Sequence, residues 1–362
     1  MRFVDEYRDP SVVLRLRDAV HTRASQLPGP VTIMEVCGSH TWAVGRHGIR
    51  AMLPENVKLV SGPGCPVCVT PARDIDAALF LASLPRVVFA TFGDMIRVPG
   101  TGGRSLQRIR AYGADIRIIS SASECLCLAL DYPDREVVFM GVGFETTSPT
   151  TASMVKTLRD RGIGNVSVFP SHKLIPPAMA ALLEDPDLSV HGFLCPGHVS
   201  TVLGAGAYAG IPLRGRGAVI AGFEPVDILL GIYMILGQII RGRFSVEIQY
   251  TRGVSTRGNP KAFSLMNEVF EPADSLWRGL GPIPASGLAF REEYRMFDAE
   301  DRFEIPELSS RDPEGCRCGE VLKGKIDPGA CPLFGTECTP EGPVGPCMVS
   351  HEGTCAAFYA CG

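Results

Sequence analysis

Between residues 31 and 221 the chain alternates short, nearly unbroken apolar runs with longer segments whose apolar positions recur at helical spacing. Each short run ends in glycine or polar turn residues, which marks it as a buried strand. Strands are expected at 31–36, 57–60, 86–92 and 115–120, with helices at 72–83 and 105–112. Four more strands follow at 136–142, 165–169, 190–194 and 218–221, separated by helices at 150–161, 177–184 and 201–208. Apolar strands linked by helices imply parallel sheets covered on both faces. An amphipathic helix over 11–27 precedes them: Val12, Val13, Leu16, Ala19 and Val20 share one face, and Pro28-Gly29-Pro30 ends it.

Near Phe244 the rhythm changes. A strand at 246–250 and a helix at 260–270 lead to Gly279-Leu280-Gly281-Pro282-Ile283-Pro284, which reads as a linker. The last 50 or so residues are rich in Gly, Pro and Cys and too poor in regular apolar period to form a core alone, so a metal is expected to supply folding energy. The expected architecture is α/β: two parallel-sheet domains, 1–125 and 126–245, around a central cleft, then a small Cys-rich domain at 246–362. The apolar run 228–240 is bounded by Asp227 and Arg241 and falls short of the ~20 residues a membrane span needs.

Composition narrows the function classes. The 362 residues are 45% hydrophobic and 20% charged, with a formal net charge of -4 and a pI near 6.0, which argues against a general nucleic-acid binder. Residues 1–9 are charged and carry no apolar leader core, so a cytoplasmic protein is expected. Thirteen cysteines in a reducing compartment do not make a disulfide framework, and their placement says more than their number. Cys125 and Cys127 read as structural members of a core helix. Seven cysteines fall between Cys316 and Cys361.

The sharpest chemical signal is Gly62-Pro63-Gly64-Cys65-Pro66-Val67-Cys68-Val69-Thr70-Pro71, a Cys-x-x-Cys between a strand and a helix that Thr70 and Pro71 are suited to start. Beside a helix N-terminus a thiolate is favoured over a thiol. On spacing alone such a pair is a redox dithiol, half of a zinc site or a chance occurrence, and the second sulfur loop sharpens the chemical reading. A second sulfur loop, Cys37-Gly38-Ser39-His40-Thr41, also follows a strand, and strand-end loops of a parallel sheet converge on one crevice. Cys37, Cys65 and Cys68 are therefore candidate metal-binding or redox sulfurs, with His40 as their proton relay or hydrogen-bonding neighbour. His198, Glu145 and Glu224, in other strand-end loops, are secondary candidates.

In the tail, one Cys-x-Cys and then isolated cysteines suit an iron–sulfur cluster better than the paired spacing of structural zinc. Cys318, Cys331, Cys338 and Cys355 are the expected 4Fe-4S ligands, with Cys316 and Cys347 as alternates. No complete dinucleotide, P-loop, nucleophile-elbow or His-Glu-x-x-His motif is present.

Taken together, Cys37-Gly38-Ser39-His40-Thr41, Gly62-Pro63-Gly64-Cys65-Pro66-Val67-Cys68, Gly143-Phe144-Glu145-Thr146-Thr147, Pro196-Gly197-His198-Val199-Ser200 and the Cys-rich tail closely resemble the HypD family of nickel-iron hydrogenase maturation proteins. The resemblance implies a scaffold on which an iron ion becomes an Fe(CN)2CO group before delivery to the hydrogenase large subunit. It implies partnership with a HypC-like chaperone that shares the iron and a HypE-like cyanide donor. By the same resemblance Cys37 is an iron ligand, Cys65 and Cys68 are a redox dithiol that also binds iron, His40 is a neighbour of the iron, and the tail 4Fe-4S cluster is the electron entry point. Two other classes are weighed against it: a cluster-dependent dithiol/disulfide oxidoreductase, which leaves Cys37 idle, and a zinc-stabilised interaction protein.

Overall fold

The computed structural model describes residues 4–361; Met1 to Phe3, on which the reading of the amino terminus partly rests, lie outside the described residues. Nine strands form two parallel sheets. The first contains β1 (Val31–Glu35), β2 (Val57–Ser61), β7 (Gly192–Pro196), β8 (Gly217–Ala221) and β9 (Val246–Ile248), in the order β2-β1-β7-β8-β9. The second contains β3 (Val87–Thr91), β4 (Ile116–Ile118), β5 (Glu136–Gly143) and β6 (Val166–His172), in the order β4-β3-β5-β6. Both parallel sheets and the Cys-rich carboxyl region are as the apolar pattern predicts. The sheets are not divided at residue 125, however: the chain leaves the first sheet after β2, builds the whole second sheet, and returns at β7 beside β1. Apolar rhythm reports that a strand is buried, but the crossover that chooses its sheet leaves no mark in that rhythm.

A continuous apolar core joins the inner faces, with Met34, Val60 and Phe193 of the first sheet meeting Phe89, Val138 and Met140 of the second through the helix Ala72–Ala82. The outer face of the first sheet is covered by helices Pro10–Ala24 and Pro225–Arg241, which pack on one another. The latter is the run that raised the membrane question. It has 17 residues, and among the described residues no helix is long and apolar enough to cross a membrane.

Several local expectations change. The stretch read as a linker is the turn and second strand of an antiparallel hairpin, β10 (Phe270–Trp277) with β11 (Gly281–Phe290). Pro282 and Pro284 are tolerated because a two-stranded hairpin offers an edge where a missing N–H donor costs little. Cys37 ends a strand but its motif is helical, Gly38–Arg46, with Cys37 at the N-cap. The helix expected at 201–208 begins earlier, as Gly197–Leu203, so His198 lies in a first turn. Pro66–Val69 forms its own helical turn with Cys65 as N-cap, and Pro71 rather than Thr70 precedes Ala72–Ala82. Within Glu124–Asp131 Cys125 is buried but Cys127, two residues on, faces outward.

Candidate functional site

The strand ends of both sheets open on one cavity of about 350 Å³. Cys37 and Pro66 enter it from the loops after β1 and β2, His198 from after β7, and Phe144 and Thr147 from the loop after β5 in the second sheet. The β1 and β2 loops are zipped together. Gly62 N–H donates to Glu35 O at 2.8 Å, and Gly38 N–H to Gly64 O at 2.8 Å. A Cβ at Gly64 would stand 2.1 Å from the Cys37 nitrogen, so only glycine lets the Cys-x-x-Cys loop lie on the Cys37 backbone. Cys65 and Cys68 are joined as a disulfide with Cα atoms 5.3 Å apart, and both are buried.

The charges around Cys37 oppose a free thiolate. Burial, the Glu352 carboxylate and Glu35 push its thiol up to about 12, against the N–H groups of His40 and Ser39 that favour the anion. Glu35 is itself fully buried and is pushed up to about 7 by desolvation, although its carboxylate accepts from Thr41 Oγ1 at 2.5 Å and from the Cys37 N–H at 3.1 Å. A cation at Cys37 displaces the thiol proton and meets two acidic neighbours that can balance its charge.

The candidate residues divide. His40 is buried and does not line the cavity; its Nε2 donates to Gly222 O at 2.9 Å, and burial lowers it to about 4, so it is neutral at pH 7. Its Nδ1 has no hydrogen-bond partner in the described structure. His198 does line the cavity, its ring stacked on Phe223 with centroids 4.0 Å apart and its Nδ1 3.5 Å from Ser39 Oγ. Glu145 is buried, pushed up to about 8 by desolvation, with one carboxyl oxygen accepting from Ile175 N–H at 2.9 Å and the other unpartnered. Glu224 caps Pro225–Arg241 with Asp227 and pairs with Arg8, a structural duty rather than that of a base.

Two residues here went unread in the sequence. Glu35 had a signal: an acid in the apolar run 31–36, on a strand buried on both faces. Glu352 had none. It comes from the far carboxyl tail, accepts from Ser39 Oγ at 2.6 Å, and packs so closely over Gly38 that a Cβ there would be 2.5 Å from its own.

The tail folds its sulfurs inward. Cys316, Cys318, Cys331, Cys338, Cys347 and Cys355 line one enclosed space of about 10 Å³, whereas Cys361 packs on Gly45. Crowding with the Cys316 and Cys347 thiols favours the Cys318 thiolate and pushes both neighbours up. Among the described residues no set of three or more His, Cys, Asp or Glu side chains is arranged to hold a single metal ion. The turn Pro346–Met348, which carries Cys347, packs against Pro66–Val69, which carries Cys68.

The HypD family model, described as the hydrogenase formation hypA family, matches residues 11–362. The chain is similar to hydrogenase maturation factor HypD of Escherichia coli, 48% identical over 366 residues, covering 99% of this chain and 98% of that protein. It is 46% identical over 369 residues to HypD of Azotobacter vinelandii, covering 100% of this chain and 97% of that one. HypD2 of Bradyrhizobium diazoefficiens is 45% identical over 370 residues, again with 100% and 97% covered. With a family model spanning residues 11–362 and relatives matched over nearly their full length, the chain belongs to the HypD family of hydrogenase maturation factors.

Proposed function

We propose that this chain is a cytoplasmic scaffold for assembling the Fe(CN)2CO group of nickel-iron hydrogenase, with Cys37 as the anchor of the iron substrate. The observation that carries this reading is the zipped pair of loops: Cys37 at a cavity wall, with the Cys65–Cys68 disulfide one residue beyond the glycine that touches it. A soft thiolate donor in a water-poor site suits iron that binds cyanide and carbon monoxide. Reducing the neighbouring disulfide takes two electrons and two protons and yields two thiols able to join the metal or reduce an incoming cyanide carrier.

Those electrons need a source. The enclosed space in the tail is lined by six thiols, five of them buried and Cys316 half-buried, with no hard ligand, a donor set that fits an iron–sulfur cluster by its chemistry, though in so small a space the sulfurs must move outward to seat one. Cys318, Cys331, Cys338 and Cys355 would hold it, with Cys316 and Cys347 in reserve. When bound, the cluster supplies single electrons, and the packing of Pro346–Met348 on Pro66–Val69 supports a short path to the disulfide. The cavity mouth between two sheets leaves room for a HypC-like chaperone and a HypE-like cyanide donor to reach Cys37.

Iron stoichiometry tests the reading. Anaerobic protein mixed with the HypC-like chaperone should bind iron beyond that of the cluster, and Cys37→Ala should lose that increment alone. Equal iron in both proteins would overturn it.

A further inference from the structure

The turn between β10 and β11 holds a side chain that neither the disulfide chemistry nor the iron site explains. Arg278 has a fully buried side chain, and none of its three guanidinium nitrogens makes a hydrogen bond. Its Nε lies 2.9 Å from Asp312 Oδ1 without the alignment of a hydrogen bond, and that carboxylate is half exposed. A guanidinium brings five N–H donors, and burying them without aligned acceptors is unfavourable. The turn is held from both sides. Arg278 N–H donates to Val69 O at 2.8 Å, next to Cys68, while Gly279 presses on Gly319, next to Cys318, so closely that a Cβ would come within 2.4 Å. On the far side, Trp277 stacks on Phe144 of the Cys37 cavity with ring centroids 6.0 Å apart. Arg278 thus belongs to a turn wedged between the disulfide turn and the helix that Cys318 opens, Cys318–Leu322.

We infer that Arg278 is the fixed counter-charge of the tail cluster, a positioning residue that makes its reduced form accessible beside the Cys65–Cys68 disulfide. The inference rests on the reading of the tail cysteines as ligands of an iron–sulfur cluster. A thiolate-ligated cluster is anionic and gains one further negative charge on taking an electron, so a buried cation stabilises the reduced form more than the oxidised one. Removing the cation lowers the potential. The anionic centre would in turn add a buried charge partner to the half-exposed Asp312 carboxylate with which the guanidinium pairs.

The test is a redox titration, with dithionite as reductant, of anaerobically purified full-length wild type, Arg278→Lys and Arg278→Gln, alongside iron and sulfide analysis. Arg278→Gln should keep iron and sulfide yet be about tenfold less reduced at a fixed potential, a fall of ~59 mV for a one-electron couple. Arg278→Lys, which keeps the charge, should stay near wild type. Should Arg278→Gln fail to hold the cluster, retention by Arg278→Lys at near-native potential supports the same conclusion. An unchanged potential in a cluster-loaded Arg278→Gln, or loss of the cluster from both variants, overturns it. Zinc without sulfide in wild type overturns instead the cluster reading beneath it.

Discussion

Glu145 shows how burial redefines a residue that sequence can only nominate. In the loop Gly143-Phe144-Glu145-Thr146-Thr147 it reads as a candidate base, but desolvation raises it from 4.5 to about 8 and it is protonated at pH 7. The native state therefore keeps a proton that the unfolded chain releases between pH 4.5 and 8. Its contribution is complete below pH 4.5 and is lost as pH rises through 8, by on the order of 5 kcal/mol at ~1.4 kcal/mol per pKa unit. The stability difference between wild type and Glu145→Gln, from urea unfolding across that range, should fall by several kcal/mol as pH increases. A difference independent of pH would refute the buried acid. His40 reads in the sequence as a neighbour of the sulfurs, but a motif shows adjacency in the chain and not which way a ring turns, and the ring does not line the cavity. With Nε2 on Gly222 O it ties the helix after Cys37 to the end of β8. We predict that His40→Ala costs about 2–4 kcal/mol in denaturant unfolding while leaving iron stoichiometry intact. Loss of iron without loss of stability would reverse that assignment.

At the scale of elements, apolar rhythm located the eight parallel-sheet strands between residues 31 and 221, whereas β9, a half-buried edge strand carrying Glu247, lies where that rhythm changes. It failed where glycine and proline mask alternation, as at 279–284, where a hairpin turn and strand stand in place of a linker. It failed again at Cys37, where a motif rich in small polar residues reads as loop but starts a helix. In the Cys-x-x-Cys loop Gly64 matters for absence of bulk. Gly64→Ala drives a methyl into the Cys37 backbone, which has no free end to move. It should destabilise the fold by ~1–3 kcal/mol and separate the two sulfur loops. The check is a denaturation curve with iron analysis: a Gly64→Ala protein that is stable and binds wild-type iron would show that the zipped loops do not build the site.

Across the whole molecule, the tail is where sequence and structure inform one another most. Cysteine spacing pointed to one metal-supported unit, and the fold gathers the four chosen cysteines with Cys316 and Cys347 while sending Cys361 elsewhere. What spacing could not convey is that the tail reaches back to the cavity through Glu352, and to the disulfide through Pro346–Met348. Contacts between segments so far apart in the chain leave no local trace. Replacing Cys331 or Cys338 with Ala should remove iron, sulfide and visible absorbance and lower the thermal stability of the tail. A coloured, equally stable double variant would exclude them as ligands.

The claim that joins these scales is that Cys37 anchors the iron bearing cyanide and carbon monoxide. Infrared spectroscopy of the chain in complex with the HypC-like chaperone, purified without oxygen, reads those ligands in a window clear of protein bands. Wild type should show cyanide and carbon monoxide bands, and Cys37→Ser, whose hydroxyl is a poor substitute for a soft thiolate, should lose them while keeping the tail cluster's absorbance. Bands of wild-type intensity in Cys37→Ser would contradict the account and move the iron to Cys65 and Cys68 alone.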